Sequence, residues 1–174
     1  MDITENKQIH LAGGCFWGAE KYLHGLRGVV DTEVGYANGH TPHPTYEQVC
    51  AHTTGYAETV AVTYDPAVLP LAKLLRLYFG AIDPTSVNKQ GGDVGDQYRT
   101  GIYYTDPADL RIIAPEIESL AATLTEKVAV EVRPLESYYP AEDYHQRYLW
   151  KNPGGYCHLS DAMCRAAWAA SMAD

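Results

Sequence analysis

Apolar and polar residues alternate over several short stretches of this chain. Between them the apolar spacing lengthens to that of a helix. Val30, Thr32, Val34 and Tyr36 alternate with Asp31 and Glu33, and Val130 and Val132 with Glu131 and Arg133. Period two puts alternate side chains on opposite faces, so these segments read as strands with one buried and one wet face. The pattern predicts strands over 9–12, 29–36, 58–64, 101–105 and 128–133. Leu71, Leu74, Leu75, Tyr78 and Phe79 recur at helical spacing, as do Leu110, Ile113, Ile117, Leu120, Ala121 and Leu124. Asp106-Pro107 suits the start of that second helix, as N-cap and first-turn proline. Pro115 lies inside it, but the apolar phase continues, which predicts one kinked helix rather than two elements. A short helix is expected over 140–150. Asn152-Pro153-Gly154-Gly155 then breaks regular structure, leaving Cys157 on a loop able to move. A terminal helix is expected over 162–172. Loops 38–44 and 85–95, rich in Gly, Pro, Asn and Asp, are candidate walls of a site.

The length, 174 residues, suits one domain over 1–174 with a real hydrophobic core. Net charge is −9, which argues against nucleic acid or an anionic membrane surface as a partner. Residues 1–8 are polar, so no leader is read there, and no apolar run is long enough to span a bilayer. The four cysteines, Cys15, Cys50, Cys157 and Cys164, are too few and too spread for a disulfide-stapled secreted fold. In a reducing compartment such cysteines serve catalysis, metal binding or packing. Zinc is disfavoured, because no CxxC pair exists and Cys157 to Cys164 is wide for one.

Gly13-Gly14-Cys15-Phe16-Trp17-Gly18 changes the picture most. The thiol sits where an apolar strand ends and a helix begins. Backbone N–H groups at a helix start favour a thiolate, the nucleophilic form. Phe16 and Trp17 form an apolar wall beside it, suited to a small group such as a methyl carried on sulfur. The competing reading of Cys15 alone is a packed core cysteine. Two bulky aromatics enclosed by glycines fit core filling poorly.

This string resembles the signature of the A-type methionine sulfoxide reductases, which reduce the S epimer of methionine sulfoxide. Four further blocks resemble that family in order. They are Thr45 to Cys50 with Thr54 to Glu58, then Gln90 to Arg99, then Tyr139 to Gln146, then Asn152 to Cys157. The resemblance runs from about residue 8 to 158. It implies an α+β domain with a mixed sheet flanked by helices, a two-layer plait related to the ferredoxin-like fold, and a long irregular C-terminal tail. Pattern alone would equally allow a parallel α/β fold, since strands and helices alternate.

The resemblance also implies roles. Cys15 is the nucleophile, and Glu58 the acid that protonates the sulfoxide oxygen. That role needs a carboxyl pKa raised by burial. Read from its position alone, Glu58 would be a solvated carboxylate at a strand entry. Tyr46 and Tyr98 match the tyrosines whose hydroxyls bond that oxygen, and only motif position separates them from the chain's other tyrosines. Phe16 and Trp17 match the substrate wall. Asp93 matches an aspartate at the substrate backbone, although a turn role is its simpler reading. His145 supports the site at most. Oxidised Cys15, a sulfenic acid, condenses readily with a thiol. Cys157 is the implied partner, and thioredoxin the implied reductant. Cys50 reads as packing. Cys164 is a candidate second recycling cysteine, but the family's intervening glycines are absent. No metal or organic cofactor is implied, because sulfur carries the electrons. A cytoplasmic monomer acting on free or protein-bound methionine sulfoxide is expected.

Two departures fall at the rim. Tyr56 stands where the family usually has histidine, and Gly92 where it usually has asparagine. A papain-like Cys15/His145 pair fails on the residues after Cys15. A thiol peroxidase would use a sulfenic acid and a resolving cysteine without the aromatic wall. A module that only binds oxidised methionine would not retain both Cys15 and Cys157.

Overall fold

The computed structural model describes residues 5–173. Part of the polar stretch read as lacking a leader, residues 1–4, lies outside the described residues. In chain order the elements are β1 (Lys7–Gly13), α1 (Phe16–His24), β2 (Val29–Ala37), α2 (Tyr46–Cys50) and β3 (Ala57–Tyr64). There follow α3 (Leu71–Phe79), the short strands β4 (Lys89–Gln90) and β5 (Asp93–Val94), β6 (Thr100–Tyr104) and α4 (Leu110–Ala122). The chain closes with β7 (Glu131–Pro134), β8 (Tyr138–Pro140), α5 (Tyr148–Lys151) and α6 (Asp161–Met172). This is a mixed α+β fold. No described helix is long and apolar enough to cross a membrane.

Six strands form one sheet in the order β7-β6-β1-β3-β2-β8. Only β6 and β7 run parallel; the other four pairings are antiparallel. The purely parallel alternative is therefore excluded. Alternation places Ile9 and Leu11 of β1, Val34 and Tyr36 of β2, and Val60, Val62 and Tyr64 of β3 in the same buried cluster. Phe16, Tyr22 and Leu23 of α1, Leu71, Leu74 and Leu75 of α3, Ile113 of α4, and Cys164 and Ala167 of α6 pack with them. Burying each large aliphatic side chain contributes about 1.5–3 kcal/mol, so this layer dominates the fold's stability. The same period puts Glu58 on the face of β3 that carries Val60 and Val62, under the start of α1.

Asp106 caps the predicted second helix through a turn, accepting from the Ala108 N–H at 2.9 Å. Helix α4 then runs unbroken across Pro115. The expected helix over 140–150 does not form. Pro140 instead ends β8, an edge strand paired only with β2, where its missing N–H costs no ladder bond. A single 3-10 turn holds His145, Arg147 takes a left-handed conformation at φ 55°, and only Tyr148–Lys151 is helical. Gln146 explains the interruption. Its side-chain amide accepts from the Val34 N–H at 2.9 Å and donates to the Val34 carbonyl at 2.8 Å, extending the sheet edge. The irregular part of the tail is confined to 152–160. Ser160 then caps α6, accepting from the Met163 N–H at 3.1 Å.

Candidate active site

Strand β1 delivers Gly13 and Gly14 to the edge of the helical layer, and the chain turns there. Gly14 has φ 84°, and a Cβ at this position would sit 2.9 Å from Cβ of Gln90. Only glycine fits that turn. Cys15 follows as the N-cap residue of α1, 7% exposed. Burial pushes its thiol well above the ordinary range, and Glu58, whenever it is ionised, and Asp93 push the same way. The Trp17 and Gly18 N–H groups pull downward but do not win. The thiolate expected from the helix start is thus not the resting form. Desolvation outweighs the backbone dipoles here.

Glu58 is 1% exposed. Its Oε1 accepts from the Phe16 N–H at 3.2 Å, the residue directly after the cysteine, while Oε2 is buried without a partner. Burial raises its pKa to about 8, helped by Asp93 and opposed by the Phe16 N–H. The solvated-carboxylate alternative is therefore wrong. At neutral pH this residue is a carboxylic acid with a proton to donate.

The aromatic wall is more extensive than the motif showed. Phe16 lies 5.1 Å from the His145 ring and 5.7 Å from the Tyr36 ring, centroid to centroid. Trp17 stacks on Tyr148 at 3.8 Å, nearly parallel, and its indole N–H donates to His145 Nδ1 at 3.0 Å. That bond fixes the tautomer, because an accepting Nδ1 leaves the proton on Nε2. Burial lowers the His145 pKa, which keeps the ring neutral. His145 is fully buried among Phe16, Trp17, Tyr46 and Tyr144, so it braces the wall from behind.

Tyr46 opens α2, which Thr45 and Gln48 cap reciprocally. Its backbone N–H donates to Glu142 at 3.0 Å, and the same carboxylate accepts from the Tyr36 hydroxyl at 2.7 Å. Tyr98 ends the turn Asp96–Tyr98. Burial raises both phenols, and Glu58, when ionised, acts on each. Cys15 and Asp93 act on Tyr98 as well, so the structure gathers these residues around one spot. Cys50, read as packing, lies beside the Tyr46 hydroxyl. Asp93 sits on β5 and accepts from the Tyr156 hydroxyl at 2.9 Å. Loop 85–95 does form a wall, since Gln90 covers Gly14. Tyr56 does not line a rim. It is 2% exposed and donates its hydroxyl to the Thr41 carbonyl, bracing loop 38–44.

All four cysteines are free thiols. Cys157 lies against α1: a Cβ on Gly18 would be 3.1 Å from its Sγ. Its thiol donates to the Leu159 carbonyl at 3.1 Å. Cys164 is fully buried on α6, and burial raises its pKa.

Two important residues escaped the motif reading. Glu20 is fully buried on α1 and binds Arg147 twice, through the backbone N–H at 2.9 Å and the guanidinium at 2.6 Å. Thr32 completes the cluster, donating to Glu20 at 2.8 Å. This ion pair ties the helix that starts at the cysteine to the segment that holds His145 and Tyr148. A lone Glu and a lone Arg 127 positions apart give no sequence signal.

Comparison with known proteins agrees with this arrangement. A family model described as peptide methionine sulfoxide reductase matches residues 7–173. The chain is 62% identical over 154 residues to a peptide methionine sulfoxide reductase MsrA of Lachnoclostridium phytofermentans, covering 88% of this chain and 93% of the relative. Among solved structures it resembles Mxr1 from Saccharomyces cerevisiae in reduced form, with TM-score 0.84, 40% identity and coverage of 90% and 91% of the two chains. It also resembles Mxr1 in complex with Trx2, with TM-score 0.58, 29% identity and coverage of 84% and 87%. A buried acid beneath a cysteine, an aromatic wall and these relatives lead to one conclusion: the chain belongs to the peptide methionine sulfoxide reductase family.

Proposed function

We propose the following division of labour for the reaction of this family, the thiol-dependent reduction of methionine sulfoxide to methionine. The observation that carries it is Glu58, a buried carboxylic acid with one oxygen unpartnered, bonded to the residue after Cys15. The substrate's methyl group rests against Phe16 and Trp17, with Asp93 at its backbone and His145 holding Trp17. The sulfoxide oxygen meets the Glu58 proton and the Tyr46 and Tyr98 hydroxyls. Cys15 attacks the sulfur as that proton moves to the oxygen. Oxygen passes to Cys15, methionine leaves, and the thiol proton restores the acid of Glu58. The thiol's high pKa suits this exchange, because nucleophile and acid hold their protons together until substrate arrives.

Cys157 then displaces the sulfenic hydroxyl, giving a Cys15–Cys157 disulfide. Thioredoxin reduces it by exchange; a relative solved with Trx2 supports this reductant. Cys164 is not required. The activity is that of a peptide-methionine (S)-S-oxide reductase, repairing free and protein-bound methionine. Sulfur carries the electrons, so neither metal nor organic cofactor is called for. The four strands in the order β6-β1-β3-β2, all antiparallel to their neighbours, support a ferredoxin-like plait. We read residues 1–174 as one domain, a cytoplasmic monomer without nucleic-acid or membrane partners; the net charge of −9 supports the last point.

Incubation with racemic N-acetylmethionine sulfoxide and a dithiol tests the reading. The S epimer is consumed and the R epimer remains. Equal loss of both epimers, or faster turnover of hydrogen peroxide, overturns it.

A further inference from the structure

His158 directly follows Cys157. Its ring lies over the glycines that surround Cys15. Nε2 is 3.2 Å from the Gly13 carbonyl, and a Cβ added at Gly14 would meet it at 3.1 Å. A carbonyl only accepts, so Nε2 carries the proton and Nδ1 keeps its lone pair. That Nδ1 is buried and has no partner. Buried imidazole nitrogens are normally bonded, so an orphan acceptor here points to a donor that arrives during the reaction. The donor is close. One point on the surface of α1, where a Gly18 Cβ would stand, is 2.8 Å from His158 Nδ1 and 3.1 Å from Cys157 Sγ. The Cys157 thiol meanwhile donates to the Leu159 carbonyl, a weak bond that a side-chain rotation exchanges for Nδ1.

We propose that His158 is the general base of the resolving step, taking the Cys157 proton at Nδ1 as Cys157 attacks the Cys15 sulfenic acid. The Cys157 S–H bond breaks, the S–S bond forms and the Cys15 S–O bond breaks. The Cys157 sulfur is oxidised and the Cys15 sulfur reduced. The proton passes from Nδ1 to the departing hydroxide, so water leaves and neutral His158 returns. Burial lowers the His158 pKa and holds the resting ring neutral, ready to accept. Asp93, on the facing hairpin, acts in the opposite direction and steadies the short-lived imidazolium. The other ionisable groups around this corner are Cys15, at the start of α1; Lys21, nearly two turns further along and bound to Asp161; Tyr156, bound to Asp93; and Cys164. Gly14 and Gly18 then have a further purpose: they leave room for the imidazole.

The inference rests on the reading above that Cys157 resolves Cys15. The experiment uses His158→Gln, whose amide still donates to Gly13 but accepts no proton. One equivalent of methyl sulfoxide is mixed with reduced enzyme. Methionine release and disulfide formation are followed separately, with dimedone trapping the sulfenic acid. Methionine release by the variant stays within about twofold of wild type, and disulfide formation slows by about 10²-fold or more, the usual weight of a general base. The variant's disulfide rate climbs with pH, because hydroxide in solution takes over from the missing base, and imidazole restores the rate in His158→Ala. Disulfide formation at the wild-type rate overturns the inference. So does an equal slowing of both steps, or no response to imidazole. If wild-type enzyme releases no methionine, or its disulfide lacks Cys157, the underlying reading has failed instead.

Discussion

The two cysteines proposed to react, Cys15 and Cys157, occupy opposite kinds of ground. Cys15 is 7% exposed, between a strand and a helix that are both tied into the core, with a buried acid below and a braced aromatic wall beside it. Cys157 sits in the irregular segment 152–160, whose residues 152–154 are exposed and whose thiol bonds only the next residue but one. A reaction that must hold one substrate geometry needs fixed groups. A reaction that must join two sulfurs and then present them to another protein needs a segment that can shift. The molecule divides these demands between two parts of the chain rather than compromising at one.

Breaking each side separately sharpens this contrast. Cys15→Ser abolishes reduction altogether while circular dichroism and the unfolding midpoint stay near wild type. Methionine formation by that variant would remove the nucleophile assignment. Cys157→Ser abolishes thioredoxin-driven turnover but still yields one methionine per enzyme. The burst in a rapid-quench assay reads this directly, and absence of a burst would mean the tail also shapes the first step.

Glu58→Gln slows methionine release by about 10²–10⁴-fold, the range for loss of a general acid. Wild-type activity falls as pH rises through about 8, as the acid form is lost. Stability follows the same sign. The folded pKa lies above the unfolded one, so the contribution is full below about 4.5 and is lost as pH rises through about 8. Between pH 5 and 9, wild type therefore loses on the order of 1 kcal/mol or more relative to Glu58→Gln, by urea unfolding. A parallel pH dependence in the two proteins would mean that Glu58 is ionised throughout. The smallest effect belongs to Cys164→Ser, which keeps thioredoxin-driven turnover within about twofold. A trapped Cys157–Cys164 disulfide together with lost turnover would make the tail a two-step relay.

Period-two patterning found β1, β2, β3 and β6 but only part of the strand expected over 128–133, since 128–130 lie outside β7; ordered motifs picked out residues that the fold gathers around Cys15. What stayed hidden depended on contacts between distant segments. Pro140 reads as a helix start until Gln146 is seen taking the Val34 backbone at the sheet edge. The helix start at Cys15 promises a thiolate until burial is weighed against it. Glu20 and Arg147 look like ordinary surface charges, and His158 like an ordinary neighbour of a cysteine. Each acquires meaning only from a partner more than a hundred positions away.

The Glu20–Arg147 pair has a consequence for synthesis. All eight strands precede residue 147, so a ribosome completes every strand before the cation that neutralises Glu20 emerges. A buried carboxylate without its partner is strongly destabilising. Before Arg147 emerges, seating α1 on the early sheet means burying Glu20 without its cation. Competence arrives in one late event, when Arg147 docks and brings His145 and Tyr148 to Trp17.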